Sequence, residues 1–209
     1  MGSVTVIRHP LALDRLTELR RRETGTARFR RLLHETGRFL IAEALADLPL
    51  TEAAIETPFA PMRAPRLASP PVAAISILRA GEGFLPALLE AFPDAPVGHL
   101  GLHRDPETLR PVSYYTSLPP ALGDHLVLVL DPMIATGGTA VEALRRLKEA
   151  GARKLRFVSL IAAPEGLATL TTAHPDVRVF TAAVDEGLDA RGHIVPGIGD
   201  AGDRLFGTE

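Results

Sequence analysis

Within nine consecutive residues, Asp131-Pro132-Met133-Ile134-Ala135-Thr136-Gly137-Gly138-Thr139, the chain sets a carboxylate, two hydroxyls and a pair of glycines. Five apolar residues precede them, Leu126 to Leu130, which read as a strand buried on both faces. Asp131 therefore stands at a strand's C-terminal end, where open α/β sheets bind ligands. Gly137 and Gly138 let backbone N–H groups approach an anion closely, and Thr136 and Thr139 add hydroxyl donors. The helix that opens there turns the positive end of its dipole toward the same point. A carboxylate and a phosphate cradle about five residues apart suit a ribose 5-phosphate, with hydroxyls at one end and phosphate at the other. The same residues also fit a tight turn in which Thr139 is an ordinary helix cap. A Walker loop is excluded because no lysine follows the glycines, and a dinucleotide fingerprint fits poorly.

Two further segments carry chemistry. Ile75-Ser76-Ile77-Leu78-Arg79-Ala80-Gly81-Glu82-Gly83 is a strand running into a glycine-containing turn, with Arg79 as a counter-charge for an anion or as a solvent-facing side chain. Gly81 and Gly83 begin a GxGxxG pattern that Pro86 breaks. Near the C-terminus, Gly197, Gly199 and Gly202 satisfy GxGxxG literally, but only seven residues follow, too few for a βαβ unit. Asp200 and Asp203 sit inside that segment, and Ile194-Val195-Pro196 precedes it. Gly101 to Asp105 ends another strand with His103 and Arg104, and a polar arm with Tyr114 and Tyr115 follows as far as Leu118.

The elements that must position these residues follow from periodicity. Helices are expected over 11–22 and 26–47, the second with Phe29, Leu33, Leu40 and Ala44 at helical spacing. The proline-rich stretch 58–71 reads as an irregular connection or a small outlying strand. Strands at 72–78, 97–102, 126–130, 155–162 and 177–182 alternate with helices at 84–91, 140–150 and 165–173, and 112–116 folds back as an arm. That alternation predicts an α/β fold, a mostly parallel sheet with helices on both faces. The chain has 209 residues, 46% of them apolar, enough for one domain over 1–209. Net charge is −2, which argues against a nucleic-acid partner held by charge. The absence of cysteine excludes disulfides and thiol chemistry. No signal peptide or membrane span is visible, so a cytoplasmic protein is expected. The chain has no Asn, Gln or Trp, and arginine far outnumbers the two lysines. Thermophily and a GC-rich genome both fit that bias.

The segment 131–139 resembles the 5-phosphoribosyl 1-diphosphate signature of the type I phosphoribosyltransferases. Most of that superfamily carries two adjacent acids at the strand end; Asp131 followed by Pro132 is instead similar to the uracil phosphoribosyltransferases, with Ile134 and Thr139 in place of the usual Leu and Ser. Leu78-Arg79-Ala80-Gly81 resembles the pyrophosphate loop of the same family, and Ile194 to Arg204, ending Gly199-Asp200-Ala201-Gly202-Asp203-Arg204, resembles its uracil segment. Ala163 to Leu167 also fits, where only a helix start is expected.

The resemblance implies the type I fold with a small hood built from N- and C-terminal segments. It implies transfer of phosphoribose to N1 of uracil, giving UMP and diphosphate in pyrimidine salvage. Arg79, Arg104, the run Asp131, Pro132, Met133, Ile134, Ala135, Thr136, Gly137, Gly138 and Thr139, and Asp200 would bind 5-phosphoribosyl 1-diphosphate. Ile194, Gly199, Asp200 and Ala201 would bind uracil, and Asp131, Asp200 and Arg104 would act in catalysis. Mg²⁺ would be bound mainly through the substrate. A homodimer or larger homo-oligomer is expected, and GTP is the candidate activator, as in some relatives. Two alternatives stand beside this reading. One is an RNA-binding pyrimidine regulator on the same fold, which the near-neutral charge and Asp131-Pro132 oppose. The other is a transferase for another base, which the pyrimidine-like C-terminal segment opposes.

Overall fold

A computed structural model describes residues 3–68, 71–104 and 111–208, with the backbone alone at positions 103, 104 and 111. In chain order the elements are β1 (Val4–Val6), α1 (Pro10–Arg20), α2 (Thr26–Ala44), β2 (Leu50–Glu56), β3 (Pro61–Leu67), β4 (Val72–Leu78), a 3₁₀ turn (Ala80–Phe84) leading into α3 (Leu85–Ala91), β5 (Val97–Arg104) and β6 (Pro111–Ser117). They continue with β7 (Leu126–Leu130), β8 (Met133–Ile134), α4 (Gly138–Glu149), β9 (Lys154–Ala162), α5 (Pro164–Ala173), β10 (Arg178–Val184), β11 (Gly187–Leu188), β12 (Ile194–Val195) and α6 (Ala201–Phe206).

One eight-stranded sheet, in the order β1-β10-β9-β7-β4-β5-β6 with β8 also on β9, runs through the molecule. Every pairing in it is parallel except β5 with β6. The apolar run of β7 explains its central place. Leu126, Leu128 and Leu130 point to one face, against Phe29, Leu33 and Leu40 of α2. Val127 and Val129 point to the other, against Ala143, Leu144 and Leu147 of α4 and Leu170 of α5. A strand with a core on each side has no polar face to show, so its sequence does not alternate. Each fully buried Leu or Phe there contributes about 1.5–3 kcal/mol.

The structure adjusts one boundary and adds two strands to the reading of the sequence. Helix α2 stops at Ala44, three residues short of Asp47, because the chain tightens into turns before Pro49 and Arg156 donates to the Ala44 carbonyl. Asp47 lies beyond the helix, where Arg156 and Arg178 pair with it; burial raises its pKa, but those two hydrogen bonds outweigh the cost and hold it below the usual carboxylate range. The stretch 58–71, expected as an irregular connection or a small outlying strand, holds such a strand: β3 pairs with the unforeseen β2 in a regular antiparallel hairpin standing apart from the main sheet. Its turn is closed by Thr57, whose N–H and hydroxyl both donate to the Ala60 carbonyl. Finally, Val4–Val6 adds a short parallel edge strand beside β10.

The glycine-rich C-terminal segment folds as well. Asp200 caps α6 by accepting the Asp203 N–H at 2.9 Å, and Gly207, at φ 70°, ends the helix. Arg204 then ties both termini together. It donates to the carbonyls of Ile198 (2.6 Å), Arg21 (2.7 Å) and Thr24 (3.2 Å), and its guanidinium lies 4.5 Å from the Phe29 ring centroid. Arg30 of α2 donates back to the Leu205 carbonyl at 2.6 Å. Among the described residues no helix is long and apolar enough to cross a membrane.

Candidate active site

The site lies at the C-terminal ends of β4 and β7. Strand β7 delivers Asp131, whose N–H bonds the Val158 carbonyl at 3.1 Å, and the Pro132 carbonyl accepts from both Leu160 and Ile161 at 3.0 Å. The backbone is thus locked to β9 just before the loop begins. At Gly137 the chain takes a left-handed turn (φ 83°), and α4 starts at the next residue. No acidic side chain occupies the first turn of α4, so its N-terminal N–H groups keep their positive potential for a ligand.

The loop rests on the start of α5. Ala163 N–H donates to the Ile134 carbonyl at 2.9 Å. A Cβ on Gly137 would come within 2.6 Å of the Gly166 carbonyl, and one on Gly166 would drive into the Ala135 carbonyl and reach 2.9 Å from that of Ile134. Two bare backbones therefore meet here, and neither glycine can carry a side chain without moving the loop. Gly166 was expected to be only part of a helix start. The signal that could have revealed it is a glycine in a helix's first turn, where it costs stability and so calls for a packing reason.

Asp131, Arg79, the wall from Met133 to Gly137, Thr139, Tyr114, Asp200 and Gly202 surround a cleft of about 480 Å³. The turn after β4 carries Arg79 to its rim. That turn sits on the end of β7, where a Cβ on Gly81 would strike the Leu130 carbonyl. The Leu78–Arg79 peptide is cis. Arg79 is half exposed and pairs with Asp203 at 3.0 Å, with its guanidinium 5.5 Å from the Phe206 ring centroid. Asp131 sits on the cleft floor. Burial pushes its carboxyl up to about 7, against the opposing effect of the hydrogen bond from the Met133 N–H.

A second cavity of about 390 Å³ adjoins the first. Asp189, residues 192–196, Ile198, Gly199 and Asp200 line it, and Met133, Ala135 and Asp200 wall both cavities. Of the residues singled out from sequence, Arg79, Asp131, Met133, Ile134, Ala135, Thr136, Gly137, Thr139 and Asp200 face the first cavity, and Ile194, Gly199 and Asp200 the second. Pro132, Gly138 and Ala201 belong to the same segments but wall neither cavity. Pro132 is turned into the sheet, and the Ala201 methyl is packed in the core at the first turn of α6. Arg104 is the last residue of β5, and its side chain lies outside the described residues, as do Asp105 and the following arm to position 110. Asp203, the partner of Arg79, was seen in the sequence only as part of a motif.

An acid and a Thr-Gly turn at the end of the central parallel strand, with a second cavity closed by the C-terminal segment, is the plan of the type I phosphoribosyltransferases. Adenine phosphoribosyltransferase from Leishmania donovani shares this fold, with a TM-score of 0.58 at 12% identity, covering 92% of this chain and 88% of that one. More specific likenesses come from the sequence. The profile described as uracil phosphoribosyltransferase matches residues 6–208. Relatives named uracil phosphoribosyltransferase are 54% identical in Myxococcus xanthus (98% of this chain, 97% of the relative) and 52% identical in Brucella anthropi (99% of each). The chain belongs to the uracil phosphoribosyltransferase family. A solved structure from Aquifex aeolicus, 39% identical over 97% of each chain, superposes with a TM-score of 0.90.

Proposed function

We propose that the chain transfers phosphoribose from 5-phosphoribosyl 1-diphosphate to N1 of uracil, forming UMP and releasing diphosphate. The observation that carries this reading is the shared wall of Met133, Ala135 and Asp200. It sets the cleft of Asp131, Thr136 and Thr139 directly beside the cavity of Ile194, Pro196 and Gly199, so a sugar carbon and a base nitrogen can be held in contact across it. Thr136 to Thr139 and the start of α4 grip the 5-phosphate. Asp131 hydrogen-bonds a ribose hydroxyl and fixes the ring. Arg79, with Arg104, neutralises the departing diphosphate as positive charge builds at the anomeric carbon. Asp200 lies between the two cavities, one of its oxygens committed to capping α6. No nucleophilic side chain is required.

The acids of the cleft suit a magnesium ion carried in with the substrate. Asp131 and Asp200 line one cavity, and no group of three or more His, Cys, Asp or Glu side chains among the described residues would hold an ion unaided. When bound, Mg²⁺ supplies charge neutralisation at the diphosphate. The reading includes a homodimer or larger assembly, measured by sedimentation, and GTP activation, measured by assaying with and without the nucleotide. The deciding experiment incubates the protein with labelled 5-phosphoribosyl 1-diphosphate, Mg²⁺ and a panel of bases. UMP from uracil is expected. A nucleotide formed preferentially from a purine, or none from any base, overturns the proposal.

A further inference from the structure

The segment Pro196 to Asp200 is fixed at its far end, where Arg204 holds the Ile198 carbonyl and Asp200 caps α6, but neither of these holds reaches Gly197. It contains two left-handed glycines, Gly197 at φ 68° and Gly199 at φ 75°, and glycine backbone carries the largest conformational freedom of any residue. Yet this segment edges the cavity assigned to the base. We propose that Arg20 and Asp185 are positioning residues for uracil, clamping the Gly197 backbone from behind; the inference rests on the function proposed above.

The geometry is a closed ring. Asp185 Oδ2 accepts the Gly197 N–H at 2.9 Å, and Arg20 Nη1 donates to the Gly197 carbonyl at 2.9 Å. The two side chains then join each other through a fork, Nη2 to Oδ1 at 2.6 Å and Nη1 to Oδ2 at 2.8 Å. One residue's donor and acceptor are thus both held by a single ion pair. Asp185 is itself anchored: it follows β10, and its N–H bonds the Ala162 carbonyl of β9 at 2.9 Å. Its side chain is only 4% exposed. A carboxylate so deeply buried is costly unless paired, and a pair of similar volume made of apolar groups is often as stable. What the charges supply that apolar groups cannot is the hold on Gly197. Neither Arg20 nor Asp185 lines either cavity, so both act through the loop.

The consequence concerns selection. With no Asn or Gln in the chain, and with the Asp189 and His193 side chains of this cavity bonded to each other at 3.1 Å, the edge of the base is left to backbone groups of Ile194 and Gly199, which line the cavity, and of Ala201, which follows the lining residue Asp200. Such a reader discriminates only as well as its loop is fixed, and a misplacement of about 1 Å costs on the order of 100-fold. Loosening the clamp should therefore weaken uracil and narrow its advantage over cytosine, while leaving the phosphate cleft intact.

The test compares wild type with Arg20→Lys, Asp185→Asn and the double variant Arg20→Met/Asp185→Leu. The double variant replaces the pair with apolar side chains of similar size and keeps the fold even where the single changes do not. Steady-state kinetics with each substrate, thermal melting and the uracil-to-cytosine ratio of kcat/KM are measured on the same samples. The expected result for the double variant is a folded protein whose melting temperature falls by several degrees, because the Gly197 N–H and carbonyl lose their partners, with a uracil KM raised on the order of 10- to 100-fold, a phosphoribosyl-diphosphate KM within about 3-fold and a reduced uracil preference. Arg20→Lys, which keeps the charge but not the fork, should fall between. A folded double variant with wild-type uracil KM and selectivity overturns the clamp. So does an equal rise in both KM values, which would mark the pair as a general support of the fold. Wild-type protein that makes no UMP would instead overturn the proposed function itself, and that result is read before any variant is made.

Discussion

Asp131 offers a prediction in which stability and activity move in opposite directions. Its carboxyl is raised from 3.8 to about 7 by burial at the cleft floor. The unfolded chain binds a proton there only below about pH 4, whereas the folded, empty protein keeps it up to about pH 7. Between those values the folded state holds more protons, so stability falls as pH rises, and above pH 7 the whole penalty is present. Three pH units at 1.36 kcal/mol each make it about 4 kcal/mol, an upper bound because the carboxyl still meets cleft water on one side. Asp131→Asn removes the ionisation while its amide oxygen can still accept the Met133 N–H. In the empty protein the variant should therefore melt higher than wild type at pH 8, by up to roughly 10 °C for a chain of this size. The gap should shrink toward zero by about pH 4. The same substitution should cut kcat/KM by about 100-fold, because the ribose loses its charged acceptor. Scanning melts across pH, with initial rates on the same preparations, tests both halves. A variant that melts lower than wild type at pH 8 refutes the desolvation argument, and near-wild-type activity refutes the ribose assignment.

Three other substitutions probe the remaining walls. Arg79→Ala should weaken 5-phosphoribosyl 1-diphosphate by about 10- to 100-fold in titration calorimetry, since it loses charge-assisted hydrogen bonds of roughly 1.5–3 kcal/mol, while uracil affinity changes less. Gly166→Ala puts a methyl against the Ala135 and Ile134 carbonyls. It should cost about 1–3 kcal/mol on melting and, by shifting the phosphate loop, raise the phosphoribosyl-diphosphate KM more than the uracil KM. Ala201→Pro deletes the N–H proposed to face uracil, at a helix's first position where proline is conformationally at home. Asp200 before it already has the extended φ −75°, ψ 116° that proline demands of its predecessor. Uracil binding should fall on the order of 10-fold or more relative to Ala201→Gly, with melting checked for the added ring; equal binding by the two variants counts against backbone reading there.

Much of this was legible in the chain because the relevant physics is local. Leu126 to Leu130 announced a doubly buried strand, and Asp131 to Thr139 announced the loop it feeds, since strand, turn glycines and helix start follow one another without interruption. Leu50 to Glu56 gave no such signal: nearly all its side chains are exposed, so no alternation of apolar and polar residues betrays the strand. Helix α6 was hidden in a glycine run that only the Asp200 cap and the tie from Arg204 turn into a helix. The facing of Gly137 and Gly166, and the Arg20–Asp185 pair, join residues 29 and 165 positions apart, and no sequence period reaches across such distances.

The hairpin of β2 and β3 limits how the molecule can be approached by another chain. The bonds from Thr57 to Ala60 and from Ala68 to Pro49 set the parity of the ladder, so Met62, Ala64 and Arg66 face β2 and the residues between them face out. Along the open edge of β3 the backbone nitrogens belong in turn to Pro61, Arg63, Pro65 and Leu67, and every second one has no hydrogen. A strand arriving there finds a broken row of donors and cannot extend the ribbon into a sheet, the usual defence of an exposed edge against cross-β growth. Leu50, Ile55, Met62 and Leu67 nonetheless stay in water. The ribbon can therefore be covered through its side chains while its β3 edge resists the backbone zippering that turns exposed strands into fibrils.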